Sequence, residues 1–188
     1  MNELVAGVDE AGRGPLAGPV VAACVILAGD PRPQLLKDSK MLSPRQREEV
    51  YHWICDHSLA WSVALATSSE IDGSNILAAS LLAMKRAFLE LSPVPAVALV
   101  DGPHSIPGIP VPQKPIIRGD SLCPSISAAS IVAKVVRDRL MTVYDHLFPQ
   151  YGFASHKGYG TPRHLEALRL YGPSSLHRST FAPVRDSL

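Results

Sequence analysis

Four carboxylates stand where strands are expected to end. Asp9 closes the apolar run Leu4–Asp9, with Glu10 directly behind it. Asp101 closes a second run, Ala96–Val100, and Asp120 follows a third, Pro115–Ile117, after Arg118-Gly119. In an α/β sheet the carboxyl ends of parallel strands border the crevice where ligands bind, so this set predicts one shared acidic pocket. Adjacent strand residues point to opposite faces. Glu10 is therefore expected to join Asp9 only if the strand stops and turns there, a turn that Gly12 and Gly14 make easy. Four carboxylates in one pocket raise one another's pKa unless cations neutralise them. Mg²⁺ or Mn²⁺, hard ions that prefer oxygen, suit such a donor set. Two of them about 4 Å apart can activate a water and stabilise the leaving oxygen of a phosphodiester. A single Asp after a strand is more often a turn former; recurrence at three strand ends is what favours chemistry.

Two glycine-flanked loops could present a polymer to those acids. Gly12-Arg13-Gly14 lacks the Gly-Lys-Ser/Thr ending of a nucleotide-binding P-loop. With Gly18 it reads G-x-G-x-x-x-G before a strand, so it is no dinucleotide fingerprint either. A tight hairpin explains it, as does close approach of backbone groups to a sugar–phosphate chain. The run His156-Lys157-Gly158-Tyr159-Gly160-Thr161 places a cation and an aromatic ring together, which suits a backbone contact plus stacking on a sugar or base. Asp38-Ser39-Lys40 and His177-Arg178 read by default as solvated charge, and Trp53 and Trp61 as core.

The 188 residues carry a net charge of +1, which argues against a uniformly basic nucleic-acid coat. The total hides an asymmetry: residues 1–102 hold 8 basic and 12 acidic side chains, residues 103–188 hold 10 and 5, with five of the seven histidines. Assigning the four strand-end acids to bound cations leaves a basic face for a polyanion. Cys24, Cys55 and Cys123 are 31 and 68 residues apart with no C-x-x-C pair, which predicts free thiols in a reducing compartment. The longest apolar run, Val20 to Ala28, has nine residues, where a membrane span needs about 20. The acidic N-terminus does not read as a signal peptide, so a soluble cytoplasmic protein without membrane contact is expected.

The elements that must position these residues alternate. Leu4–Asp9 and Pro19–Leu27 predict a hairpin. Gly29 to Pro33 breaks the chain, and Ser43-Pro44 then caps a helix running to His57. Leu59–Ala66 predicts a third strand and Ile71–Leu91, opened by Ser69-Glu70, a long helix. Strands at Ala96–Val100 and Pro115–Ile117 follow, then a helix over Ser125–Leu147 and a last one over Arg163–Tyr171 capped by Thr161-Pro162. The order implies a single α/β domain with a mixed sheet, residues 1–148, and a small helical extension, 149–188, packed on it.

One resemblance accounts for nearly the whole chain. Gly7-Val8-Asp9-Glu10-Ala11-Gly12-Arg13-Gly14-Pro15-Leu16-Ala17-Gly18 resembles the opening signature of ribonuclease HII, the type 2 ribonucleases H. Asp38-Ser39-Lys40, Val100-Asp101-Gly102, Gly119-Asp120 with Ser127-Ala128-Ala129-Ser130-Ile131, Phe148 to Phe153, His156 to Thr161 and His177-Arg178 through Phe181 follow in family order. The resemblance implies a ribonuclease H-like fold with a five-stranded mixed sheet flanked by helices. It implies metal-dependent hydrolysis, with Mg²⁺ or Mn²⁺, on the 5′ side of a ribonucleotide in RNA–DNA hybrids or in DNA duplexes with embedded ribonucleotides, leaving 3′-hydroxyl and 5′-phosphate. The family's catalytic, metal-holding quartet falls on Asp9, Glu10, Asp101 and Asp120. Its substrate-binding residues fall on Gly12, Arg13 and Gly14, whose backbone would read the ribose 2′-OH, on Lys40 and Lys157, and on Tyr159, which would stack on the neighbouring deoxyribose. A monomer without an obligate protein partner is expected. Departures lie outside the quartet: Arg118 stands where Lys is usual, Ser125 where an acidic or small residue is often found, and Ser179-Thr180 replaces a more basic or Ser-Phe ending. A junction resolvase-like nuclease would share the strand-end acids without needing the two loops. A non-catalytic hybrid-binding module would hold the acids for structure alone.

Overall fold

The computed structural model describes residues 3–29, 36 and 42–187. Among them five strands, β1 (Val5–Ala11), β2 (Val20–Leu27), β3 (Ser58–Ala66), β4 (Val97–Asp101) and β5 (Gln113–Ile116), form one sheet in the order β3-β2-β1-β4-β5. β1 pairs antiparallel with β2 and β2 with β3, whereas β1–β4 and β4–β5 are parallel. The mixed sheet expected from the sequence is present. Pro115 is tolerated because β5 is an edge strand, where a missing N–H costs no ladder bond on the open side.

Side-chain alternation decides which helix covers which face. Ala6, Val8, Ala22, Cys24 and Ile26 pack with Ala79, Ala83, Ala87 and Phe88 of helix α3 (Ile76–Leu89). Ala23 and Val25 take the other face, against Val50 and Ile54 of helix α1 (Pro44–His57) and Ile131, Val132 and Val135 of the long helix α5 (Pro124–Leu147). α5 lies unusually close to the sheet. A Cβ at Gly7 would fall 2.1 Å from the Ser125 carbonyl carbon, so only glycine lets the first turn of α5 rest on β1. The small residues Ser127, Ala128, Ala129 and Ser130 continue that contact.

Several expectations need correction. β1 does not stop at Asp9: Glu10 pairs with Ala22 and Ala11 with Val21, because the antiparallel partner holds the ladder until Gly12 turns the chain at φ 99°. The single helix expected over Ile71–Leu91 is two, α2 (Ser68–Asp72) and α3. Thr67 and Glu70 close a capping box on α2, Gly73 ends it, and the Asn75 side chain caps α3 by accepting from the Ala78 N–H. Asp120 lies on a short helix, α4 (Gly119–Leu122), entered through left-handed Arg118. Trp61, expected in the core, is 40% exposed because β3 is the other sheet edge. Beyond α5 the chain adds α6 (Phe153–His156), α7 (Pro162–Tyr171) and α8 (Ala182–Arg185), and an isolated bridge joins His177 to Ala17. The three cysteines are free. Among the described residues no helix is long and apolar enough to cross a membrane. Asp38-Ser39-Lys40 lies outside the described residues.

Candidate active site

β1 and β4 run parallel with Val8 opposite Val100, so one step further along each strand sets Asp9 beside Asp101 on the face that α5 covers. Asp101 ends β4 opposite Ile116, and its Oδ1 accepts a long bond, 3.4 Å, from the Asp120 N–H. α4 thereby brings the fourth acid to the first three. Asp9 and Asp120 are buried, Glu10 and Asp101 half-buried.

The electrostatics are those of unneutralised like charges. Burial, then the Glu10 and Asp101 carboxylates, push Asp9 well above the ordinary carboxylate range. The Ser130 hydroxyl and the Glu10 N–H, 2.7 Å from Oδ1, only partly oppose this. Burial raises Glu10 as well, against the pull of Arg13, whose guanidinium lies 3.3 Å from Oε1. Among the described residues no three Asp, Glu, His or Cys groups are closed into a ready-made metal cage. The donors nonetheless fit a hard divalent ion. They are all oxygen, Asp9 and Asp120 are buried, and the Asp9 site gains most from added positive charge.

Beside the acids lies a cavity of about 360 Å³ lined by Glu10, Ala11, Gly12, Arg47, Ser130, Lys134 and Tyr159. Tyr159 stands 45% exposed, and a Cβ on Gly14 would be 3.7 Å from its ring. The two loops picked out in the sequence therefore meet at one opening, next to the acids.

Both loops hang on buried arginines. Arg178 donates from Nη2 to the carbonyls of Gly12 (2.6 Å) and Gly18 (2.8 Å), and from Nη1 to that of Arg13 (2.8 Å). Arg137 donates to the carbonyls of Pro19, Ala17 and Lys157 at 3.0–3.2 Å. A Cβ at Gly12 would lie 2.0 Å from Arg137 Nε, so this glycine is needed for the guanidinium as much as for its positive φ. A trans peptide opposes its C=O and N–H. With the Gly12 and Arg13 carbonyls turned in on Arg178, the N–H groups of Arg13 and Gly14 face the other way, outward.

A family model for ribonuclease HII matches residues 6–184. The chain belongs to the ribonuclease HII family. It is 56% identical to the ribonuclease HII of Burkholderia pseudomallei (strain 668) over 99% of this chain and 86% of that protein. Among solved structures it is similar to the ribonuclease H2 of Pyrococcus horikoshii OT3, with TM-score 0.83, 29% identity, and 98% and 96% of the two chains covered. A Bst-RNase HIII in complex with Mn²⁺, 17% identical with TM-score 0.72 over 98% of this chain and 69% of that one, shares the fold. As a ribonuclease HII the protein is a ribonuclease H-type endonuclease acting on RNA–DNA substrates.

Asp9, Glu10, Asp101, Asp120, Gly12, Arg13, Gly14 and Tyr159 gather in one region of the chain. Lys157 belongs to its edge. The ammonium donates to the Ala154 carbonyl (2.8 Å) and Thr142 Oγ1 (3.0 Å), beside a second trough that shares Arg47 with the first. Lys40 is outside the described residues. His177-Arg178 is not solvated charge: both side chains are buried. Ser179 and Thr180 give their N–H and hydroxyl groups to the Asp72 carboxylate. Sequence reasoning missed Arg47, Lys134, Arg137 and His164. Only Arg137 carried a signal: Ala133, Arg137 and Met141 recur every four residues, which puts a cation on a core stripe.

Proposed function

We propose that the protein hydrolyses the phosphodiester on the 5′ side of a ribonucleotide, in RNA–DNA hybrids and in DNA duplexes carrying single embedded ribonucleotides, leaving 3′-hydroxyl and 5′-phosphate. One observation carries the reading: a buried carboxylate, Asp9, held between Glu10 and Asp101 against its own electrostatics, with Glu10 and Ser130 beside it lining the cavity where the Gly12–Gly14 loop and Tyr159 meet. Asp9, Glu10, Asp101 and Asp120 would hold Mg²⁺ or Mn²⁺. When bound, the metal supplies an activated water and charge stabilisation at the leaving oxygen.

The chain's own groups do the rest. Ser130 and the Glu10 N–H orient the Asp9 carboxylate. Arg13 holds Glu10 and screens it from its neighbours. The outward N–H groups of Arg13 and Gly14 reach the ribose 2′-OH, the one group that separates RNA from DNA at a given nucleotide. Tyr159 stacks on the adjoining sugar, while Arg47, Lys134 and Lys157 meet phosphates and position the duplex without reading sequence.

The test is a duplex with one ribonucleotide, an all-DNA control, and Mg²⁺ or Mn²⁺ added or removed with EDTA. One nick, 5′ to the ribonucleotide and only with metal, is expected, and Asp120→Asn should keep the fold and lose it. Equal cutting of the all-DNA duplex, or full activity in EDTA, overturns the proposal.

A further inference from the structure

The three histidines of the C-terminal part form a connected group whose protonation pattern the geometry dictates. Ser174 N–H donates to His177 Nδ1 at 2.9 Å. A backbone N–H can only donate, so that nitrogen is an acceptor and a neutral His177 carries its hydrogen on Nε2. His177 Nε2 lies 3.0 Å from His164 Nε2. The other nitrogen of His164, Nδ1, lies 2.9 Å from the Tyr159 carbonyl oxygen, which can only accept. His164 therefore carries its hydrogen on Nδ1 and accepts from His177 on Nε2. Every group in the series Ser174, His177, His164, Tyr159 has one consistent role. His156 stacks on His164 with ring centroids 4.4 Å apart. By the same logic it accepts from the Gly158 N–H and donates from Nε2 to the Tyr151 carbonyl. A second proton has no place on His164 or His177, and burial accordingly pushes both down.

The series ends at Tyr159. Its carbonyl takes two donors, His164 Nδ1–H and the Thr161 N–H, while its ring is exposed at the cavity beside Glu10. We propose that His164 is a positioning residue for the cleavage reaction: through His177 it ties the C-terminal segment to the Tyr159 carbonyl and sets the pose in which the Tyr159 ring meets the sugar of the substrate. The proposal rests on the reading of Tyr159 as a substrate contact. It makes the segment after α7 part of the substrate-sensing apparatus, although His164 and His177 touch no substrate.

Two measurements test it. In the intact ¹⁵N-labelled protein, long-range ¹H–¹⁵N spectra of the imidazoles report which nitrogen is protonated. At neutral pH His164 should show the Nδ1–H tautomer, and His177 and His156 the Nε2–H tautomer. An Nε2–H or doubly protonated His164 overturns the proposal, and this result needs neither substrate nor variant.

The second measurement is cleavage of the embedded-ribonucleotide duplex. His164→Asn keeps an amide donor near the Nδ1 position, and His164→Gln keeps a polar atom near Nε2 instead. His164→Gln should lose about tenfold in kcat/KM and His164→Asn about threefold or less, in line with one hydrogen bond, with both variants folded. In a Tyr159→Ala background His164→Gln should cost nothing further. If it costs the same tenfold there, the positioning role falls while Tyr159 keeps its place. If Tyr159→Ala itself cleaves normally, the substrate contact is what fails, and the positioning role falls with it while the tautomer result stands by itself.

Discussion

At the ends of β1 and β4 the buried carboxylate of Asp9 faces the half-buried ones of Glu10 and Asp101; beneath the Gly12–Gly18 loop buried guanidinium and imidazole groups face backbone carbonyls. Both regions place titratable groups out of water, where an unpaired group costs several times what it costs at the surface. In the second the cost is offset throughout, since the donors of Arg137, Arg178, His164 and His177 meet acceptors. Burial and its neighbour Arg137 bring Arg178 down only to about 9, so it stays charged at neutral pH. In the first region burial and like charge act together on Asp9, and one hydroxyl and one N–H oppose them. The satisfied cluster holds the shape. The unsatisfied one is poised for a cation, and a fold tolerates such a site where function needs it.

The largest expected effect separates the two regions most cleanly. Asp9→Asn keeps the side-chain shape and an oxygen for the Glu10 N–H while removing the charge. Cleavage should fall on the order of 10³-fold or more, and the melting temperature should rise by about 2–4 °C. A fall of several degrees instead would make Asp9 a structural group and erase the contrast. Arg178→Lys runs the other way. A single ammonium cannot span the Gly12, Arg13 and Gly18 carbonyls that the planar fork reaches, so stability should drop by about 2–3 kcal/mol. A lower urea midpoint at unchanged slope would show it; an unmoved midpoint would mean that the loop does not depend on the clamp.

The two regions also differed in how much of them could be read from sequence. The acids were legible because chemistry restricts residue type: carboxylates recur at Asp9, Asp101 and Asp120, where apolar runs stop, and the mixed sheet followed from the same runs. The clamp was almost opaque. Nothing near Arg178 marks it as buried, because its partners, the carbonyls of residues 12, 13 and 18, are backbone groups some 160 positions away in the chain. Long-range side chain–backbone bonds leave no composition signal. The Glu10 expectation failed for a related reason. How far a strand runs depends on its ladder partner, here Ala22 and Val21, which carry β1 on to Ala11 before Gly12 turns it.

The remaining effects are smaller and are ordered by pH. His177 sits at about 4 in the folded protein against an ordinary value of 6.5, lowered by burial and then by His164, and His164 is lowered too. The unfolded chain therefore binds protons first as pH falls. The stability that these neutral imidazoles confer is complete above about pH 6.5 and is lost as pH drops toward about 4. Across that interval the urea midpoint should fall relative to that of His177→Asn, because Asp9 and Glu10, raised in the fold, act in the opposite direction in both proteins. A difference between the two proteins that does not change with pH would mean that His177 is not held neutral.

Glu70 provides the contrast at the surface. The Arg86 guanidinium, at 2.6 Å, and the Thr67 N–H hold its carboxyl down at about 2, so its contribution is present above its ordinary 4.5 and lost only as pH falls toward 2, below the histidine interval. Glu70→Gln keeps the capping box, because glutamine also reaches back to the cap, and it removes only the charge from a solvent-screened pair. The loss should be about 0.5 kcal/mol or less, with no change in cleavage. A loss as large as that of Arg178→Lys would show that the short ion pair between α2 and α3 carries as much of the fold as the buried clamp. The distinction drawn between satisfied burial and surface pairing would then have to be abandoned.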